Sequence, residues 1–215
     1  MKHLKILGMA VVAAAALMAF VGASTASADV LCTENNTPQC PSTKVITSLH
    51  ATLKSGTTAL LETTGGTALI TCSESTISGT ITNQGHGVEP EGSFTAANLT
   101  WGSCNHTADT IAGGSLKVET IETSPGVFKH TVTAKSAEVT VNILNITCTY
   151  GPGLNGNIIS LGDLQQGAPA TLTISTIVNK TAGGGLCPET SRWTATYQIT
   201  NHTGVWVSTK KEGEA

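Results

Sequence analysis

Serines are the most numerous candidate nucleophiles in this sequence, and a serine nucleophile needs a placed base and an orienting acid. No Gly-x-Ser-x-Gly segment occurs, although that turn exposes the nucleophile of α/β-hydrolases. Ser208 and Lys211 match the Ser-x-x-Lys pattern, but they lie in a polar terminal segment where nothing shields the lysine. The serines therefore predict no catalytic residue.

Carboxyl groups are the second source of chemistry, because glycoside hydrolysis uses two of them on opposite sides of a cleft. Glu119 alternates with apolar residues in an expected hairpin, which is typical of the solvent face of a strand. Glu89 and Glu91 flank Pro90 in an expected loop. No motif brings two acidic residues together, so we predict that the protein is not an enzyme. A glycoside or ester hydrolase is the third-ranked function.

The first 28 residues have the layout of a secretory signal peptide. Lys2 and Lys5 give a basic start, an apolar run covers residues 6–22, and Ala26-Ser27-Ala28 supplies the small residues that a signal peptidase requires. We predict cleavage before Asp29 and a secreted, extracellular protein. No second apolar stretch is long enough for a membrane span, and the C-terminal residues are polar, so no membrane span is expected after removal of the signal peptide.

All six cysteines follow the predicted cleavage site, and an even number in a secreted chain indicates disulfides. A faint repeat suggests how they pair: twice, a cysteine on a strand is followed by a loop and a second cysteine near an aromatic strand. The pairs expected on this basis are Cys32–Cys40, Cys72–Cys104 and Cys148–Cys187.

The cysteines also bear on cofactors. A structural zinc site uses paired short spacings, and the chain contains no Cys-x-x-Cys. Cys104 and His106 are the nearest approach to a ligand pair, but a disulfide accounts for Cys104. We predict no metal and no other cofactor.

The charge pattern excludes one class of partner. The chain carries 11 basic and 14 acidic residues, and its basic residues form no cluster. Arg192 is the single arginine. Because nucleic-acid binding needs a basic patch, we expect no nucleic-acid partner.

Alternating β-branched segments separated by glycine-bearing turns predict an all-β fold. Residues 116–121 and 127–134 form the clearest hairpin, with Ser124-Pro125-Gly126 as the turn, and residues 139–150 predict one long strand. Residues 163–166 favour a single helical turn. Frequent turns indicate a disulfide-bonded antiparallel β-sandwich of about ten or eleven strands, or less favourably a small β-barrel.

The predicted domain organisation has four parts. They are a signal peptide at 1–28, an N-terminal cysteine-bearing loop at 29–43, the β-sandwich domain at 44–208 and a polar tail at 209–215.

Aromatic residues are the remaining lead to a binding site. Trp101, Trp206 and Tyr150 are candidate ligand contacts, because carbohydrate-binding domains stack sugars on exposed aromatic faces. The competing interpretation places the aromatics in the core, with Trp193 and Tyr197 filling it and Trp101 packing on a disulfide. The core interpretation is favoured, since the chain has few other large side chains.

The sequence resembles small secreted proteins of actinobacteria whose function is uncharacterised. The matching features are Cys72-Ser73-Glu74-Ser75, the glycine-marked turn after it, and Leu186-Cys187-Pro188 ahead of Trp193-Thr194-Ala195-Thr196-Tyr197. It is also similar in pattern to a secreted family of alkane-oxidation activators, which shares a late cysteine before a Trp-x-x-x-Tyr strand. The first resemblance covers most of the mature chain, and neither implies a catalytic residue.

These observations predict a secreted, non-enzymatic β-domain with a structural or surface-association role. Its expected partner is a cell-envelope polymer, a polysaccharide or another surface protein. The alternative is a carbohydrate-binding module that uses exposed aromatic residues.

Overall fold

The computed structural model describes residues 30–35, 39–85, 88–125, 127–152, 158–208 and 210–211, and the predicted signal peptide lies outside them. The strands are β1 (Val30–Cys32), β2 (Gln39–Cys40), β3 (Ser48–Leu53), β4 (Ala59–Thr63), β5 (Ala68–Gly85), β6 (Val88–Phe94), β7 (Leu99–Cys104), β8 (Thr107–Ala112), β9 (Gly114–Ser124), β10 (Val127–Lys135), β11 (Glu138–Ile143), β12 (Ile146–Gly151), β13 (Ile158–Gln165), β14 (Thr171–Gly183), β15 (Thr190–Ile199), β16 (Trp206–Ser208) and β17 (Lys210–Lys211). The 3-10 helices are η1 (Ser42–Lys44) and η2 (Ala96–Asn98).

Thirteen of these strands form one antiparallel sheet that closes on itself. Strands β3 and β4 each pair with β15 on one side and with β5 on the other, which joins the last long strand to the first. Around the ring the chain runs up and down through eight neighbouring positions in the barrel wall. Each wall position holds either one long strand or two shorter strands. The fold is therefore an eight-stranded up-and-down barrel, the architecture that removes free sheet edges.

Five of the eight wall positions hold two strands placed end to end. We call the half with β4, β7, β8, β11 and β12 the upper half, and the half with β3, β6, β9, β10 and β13 the lower half. Strands β5, β14 and β15 are long enough to run through both. We call the level of the barrel at which the five two-strand positions change from one strand to the other the waist.

Glycines permit unusually close backbone contacts at the waist. A Cβ added to Gly114 would lie 2.1 Å from the carbonyl oxygen of Lys135, and one added to Gly151 would lie 2.1 Å from that of Ala137. Real Cβ atoms do not approach a carbonyl this closely, so these positions require glycine. The waist thus depends on residues that carry no side chain.

Replacing Gly114 with alanine is expected to lower the free energy of unfolding by about 2–3 kcal/mol, because the backbone at Lys135 must shift to admit the methyl group. The matched control is Gly184→Ala, since nothing lies within 4 Å of a Cβ added there. Urea unfolding of both variants measures the difference. Equal stability of the two variants would contradict the close packing of the waist.

A buried hydrogen-bond chain also crosses the barrel near the waist. The Tyr197 side chain is fully buried, and its hydroxyl lies 2.8 Å from that of Ser75. The Ser75 hydroxyl donates in turn to the carbonyl oxygen of Thr100 at 2.8 Å. Burial raises the pKa of Tyr197 to about 12, and the Ser75 hydrogen bond partly offsets that effect. Tyr197 therefore connects β15, β5 and β7.

The first two and last two described strands form a cap over the lower half. Strand β1 pairs with β16, and β2 pairs with β17 in parallel. The Gln84 side chain joins this cap to β5, because it accepts from the Leu31 amide at 3.1 Å and donates to the Ile46 carbonyl at 2.6 Å. Leu31 is fully buried and faces the cavity of the lower half. The N-terminal cysteine-bearing segment is therefore part of the packed structure.

Three disulfides link the chain with the pairing that the sequence repeat suggests. Cys32–Cys40 lies in the cap, Cys72–Cys104 joins neighbouring wall strands, and Cys148–Cys187 joins β12 to the loop after β14. No described cysteine is free. Covalent links thus hold the cap and the upper half.

The all-β, antiparallel, disulfide-bonded class is confirmed. The sheet closes into a barrel, the architecture that the sequence favoured less than a sandwich. The described strands outnumber the ten or eleven expected, because five positions in the wall are divided into two strands at the waist. Three local predictions were wrong. Glu89, Pro90 and Glu91, expected in a loop, lie on β6. The long strand expected at 139–150 is a hairpin that turns at Leu144 and Asn145, and residues 163–165 belong to β13.

Candidate functional site

The predicted aromatic contacts fall in two places. Trp101 and Tyr150 both line a cavity of about 60 Å³ inside the upper half, which we call the upper cavity, and Trp193 lines it with them. Trp206 lies on β16 in the cap, where its ring packs over Gly204. The structure therefore brings two of the three predicted residues together, around an interior space.

The tryptophans of the upper cavity hold each other in place. The rings of Trp101 and Trp193 meet edge to face, with centroids 5.8 Å apart and an interplanar angle of 61°. The Trp101 indole N–H donates to the Thr110 hydroxyl at 3.0 Å, and that hydroxyl donates to the Leu99 carbonyl at 2.8 Å. These contacts join β7 to β8, so Trp101 has a structural role in the wall.

Three buried polar atoms near the upper cavity have no hydrogen-bond partner. They are the Tyr150 hydroxyl, the Ser191 hydroxyl and the Trp193 indole nitrogen. Burial raises the pKa of Tyr150, and the neighbouring Ser191 hydroxyl partly offsets the effect. The two hydroxyls are therefore close, but their geometry does not make a hydrogen bond. An unpaired buried donor costs about 1–3 kcal/mol, so this cluster is an unusual feature of the core.

The aromatic residues offer no open platform for a sugar. Tyr150 is only 3% exposed, and Trp101 and Trp206 are half-buried. Among the described aromatic residues only Phe128, 45% exposed at the start of β10, is largely in solvent. Because sugar stacking needs an accessible flat face, the described geometry does not favour the carbohydrate-binding alternative.

The most exposed large apolar side chains lie at the upper end of the barrel. Leu144 is 81% exposed and Leu186 is 79% exposed. Leu144 lies four residues before Cys148, and Leu186 directly precedes Cys187, so the Cys148–Cys187 disulfide holds both loops at the same end. We call Leu144 and Leu186 the leucine pair. The sequence pattern missed it, because a long strand was expected at Leu144.

Leu144 also has an unfavourable backbone conformation. It occupies the left-handed region with φ 52°, and Asn145 follows with φ 67°. This is the two-residue turn of a hairpin between Ile143 and Ile146, in which Asn and Gly are the favoured residues. A branched apolar residue there has a steric cost of roughly 1–2 kcal/mol and gains no burial. Asn145, which tolerates this region, was the one local signal of the turn.

Leu144→Asn is therefore expected to raise the free energy of unfolding by about 1 kcal/mol, because asparagine adopts the left-handed conformation more readily. Leu186→Asn is the control, since it removes an equally exposed leucine outside that turn. Urea unfolding measures both. Destabilisation by Leu144→Asn would show that the leucine is needed for folding.

Glu89, Glu119 and Asp163 form ion pairs on the outer face of the barrel wall. Lys117 binds both Glu89 and Glu119, and the hydrogen bond to Glu89 raises the pKa of Lys117 above its usual value. Lys129 binds Asp163 at 3.0 Å. These pairs lie at a partly exposed surface, where each contributes about 0–1 kcal/mol. The arrangement stabilises neighbouring strands.

Within the described part of the chain, no group of three or more His, Cys, Asp or Glu side chains is placed to hold a metal ion. No helix of the described residues is long and apolar enough to cross a membrane. Comparison with protein-family models, curated proteins and solved structures gave no match.

Proposed function

We propose that this protein is exported from the cell and acts without catalysis, by attaching to another protein of the cell surface or envelope through the leucine pair. Export is supported by the signal-peptide pattern and by three disulfides, which persist in oxidising compartments. The barrel supplies a rigid body, and its upper end supplies the contact.

The exposed leucine pair is the observation that carries the attachment proposal. Both side chains are about four-fifths exposed, and one has a strained backbone, so neither residue stabilises the isolated barrel. Burying a leucine against a partner contributes about 1.5–3 kcal/mol. Leu144 and Leu186 thus become favourable only when another molecule covers them.

The chemistry of the pair favours a protein partner over the other expected classes. Aliphatic side chains present no flat aromatic face to a sugar ring and no hydrogen-bonding group to a polymer. They match the apolar core that specific protein interfaces place at their centre. A surface protein is therefore the preferred partner, and the envelope polymer and the polysaccharide become outcomes of the test.

The test is co-sedimentation of the mature protein with envelope fragments from the producing cells. The double variant Leu144→Asn, Leu186→Asn is expected to bind at least about tenfold more weakly than the wild type. Val127→Thr is the matched control, because Val127 is 55% exposed at the start of β10 in the lower half. Its binding is expected to equal that of the wild type.

Treatment of the fragments identifies the partner. Protease digestion is expected to abolish binding, and added soluble polysaccharide is expected to leave it unchanged. Binding that survives digestion and is competed by polysaccharide would instead support the carbohydrate-binding function. Equal binding by the double variant and the wild type would refute the role of the leucine pair.

A further inference from the structure

We propose that the lower end of the barrel is a pH-sensitive closure, in which protonation of His130 releases the cap while the upper half stays folded. Among the described histidines, His130 alone is buried, with 7% of its surface exposed. It lies on β10 in the lower half, away from the leucine pair at the upper end. The inference is therefore independent of the attachment proposed for that pair.

The His130 side chain faces the interior of the barrel. It pairs with Thr120 on β9 and with Leu164 on β13, and Leu164 lines the cavity of the lower half. Val132, two residues further along β10 and on the same face, lines that cavity too. Leu31 of the cap lines it from the other side of the interface. The imidazole thus lies in the layer next to the apolar space that the cap covers.

These surroundings favour the neutral imidazole. The Nδ1 atom of His130 lies 2.9 Å from the Thr120 hydroxyl, which can donate to a neutral ring. Of the described residues that line the adjacent cavity, none carries a titratable side chain. Burial lowers the pKa of His130 below its ordinary value. Protonation therefore places a charge beside a wall that offers it no acidic partner, which is costly inside a protein.

The charged residues on the strands beside His130 bind each other on the outer face of the wall. They form the ion pairs Lys117–Glu119 and Lys129–Asp163. Glu119 and Asp163 are both opposite Thr131, the next residue along β10, so they point away from the interior. Glu122 pairs with Phe128 at the end of the β9–β10 hairpin. The cap and the segment after β1 add the ion pair Glu34–Lys44 and the two lysines of β17, Lys210 and Lys211.

The cap is the part that acid is expected to release. Both cysteines of Cys32–Cys40 lie within the cap, so this disulfide does not tie the cap to the wall, whereas the other two hold the upper half. An unfolded or exposed histidine binds its proton near pH 6.5, and the lowered pKa means that the closed state binds it only at lower pH. The closed state is therefore fully stable above about pH 6.5 and loses stability as the pH falls below that value.

The experiment labels the mature protein with 5-fluorotryptophan and follows its three tryptophan signals by fluorine NMR. The pH is varied between about 7.5 and about 5, where histidines titrate and ordinary carboxyl groups stay largely ionised. Trp206 reports on the cap, and Trp101 and Trp193 report on the upper half. The expected result is a reversible shift of the Trp206 signal alone, with a midpoint below about pH 6.5. A shift of all three signals together, or of none, overturns the proposal.

Variants assign the effect to His130. His130→Gln, which cannot take up the proton, is expected to abolish the Trp206 shift. His202→Gln is the matched control, because the His202 ring contacts a backbone carbonyl of β3 in the same half. Two further variants, His86→Gln and Glu122→Gln, are also expected to keep the shift.

A titration of the unmutated protein makes the test independent of how the variants fold. The ring signals of His130 are expected to titrate with the same midpoint as the Trp206 shift. Different midpoints, or loss of the shift in any variant that retains His130, would overturn the proposal.

Discussion

Full reduction of the three disulfides is expected to unfold the barrel at physiological temperature. The sequence separations are 8, 32 and 39 residues, for which loop entropy gives about 2.5, about 3.7 and about 3.9 kcal/mol. Their combined contribution is about 10 kcal/mol, which is within the range of a whole domain's stability of about 5–15 kcal/mol. The reduced chain therefore keeps little or no net stability.

Circular dichroism during thermal unfolding, with and without reductant, measures this effect. Double Cys→Ala variants separate the links, and removal of Cys32–Cys40 is expected to cost the least, because it closes the shortest loop. An unchanged melting temperature after complete reduction, verified by thiol titration, would contradict the role assigned to the disulfides.

Tyr197→Ala is expected to lower the free energy of unfolding by about 4 kcal/mol, because it leaves a cavity where a fully buried aromatic ring joined three strands. Tyr197→Phe is the control. It is expected to cost about 1 kcal/mol, since Ser75 keeps its bond to the Thr100 carbonyl. Urea unfolding separates the two effects. Equal losses would show that the hydroxyl, not the ring, carries the contribution.

The same residue predicts a loss of stability at alkaline pH. The unfolded tyrosine releases its proton near pH 10, whereas in the folded state the pKa of Tyr197 is raised to about 12. The contribution of Tyr197 protonation to the free energy of unfolding is complete below pH 10. It falls by about 2–3 kcal/mol as the pH approaches 12. Urea unfolding at about pH 9 and about pH 11 measures it. Tyr197→Phe should lack this part of the pH dependence, and an unchanged dependence in that variant would exclude Tyr197 as its source.

Local pattern was enough to predict the all-β class and one hairpin, but not the bounds of every strand. Residues 116–121 and 127–134 alternate around a Ser-Pro-Gly turn, and β9 and β10 form the expected hairpin. The helical turn predicted at 163–166 was wrong, although Asp163-Leu164-Gln165 has moderate helix propensity. Leu164 lines the cavity of the lower half and pairs with His130 and Leu172, so tertiary packing overrides that local preference.

Ring closure and the waist could not be predicted from local pattern. Closure depends on the pairing of β15 with β3 and β4, which are far away in the sequence. Period-two alternation is the same in a sandwich and in a barrel. The waist depends on close backbone contacts at Gly114 and Gly151, and a glycine in the sequence indicates equally a turn or a close approach.

The candidate sites differ in how far the sequence indicated them. Trp101 and Tyr150 were identified by residue type, but only the fold shows that they share an interior cavity with Trp193. Exposure of Leu144 depends on a turn at Asn145 that an otherwise apolar segment concealed. Leu186 could be related to that turn only through the Cys148–Cys187 disulfide, which holds its loop at the same end of the barrel.

Surface attachment through the upper end of the barrel is tested most directly by site-specific photo-crosslinking on intact producing cells. A photoreactive residue is placed at Leu144 in one variant and at Val127 in another, since both side chains are exposed but lie in opposite halves. The account predicts a discrete, protease-sensitive crosslinked species from position 144 and none from position 127. Equal crosslinking at both positions, or none at position 144 on cells that retain the protein, would contradict it.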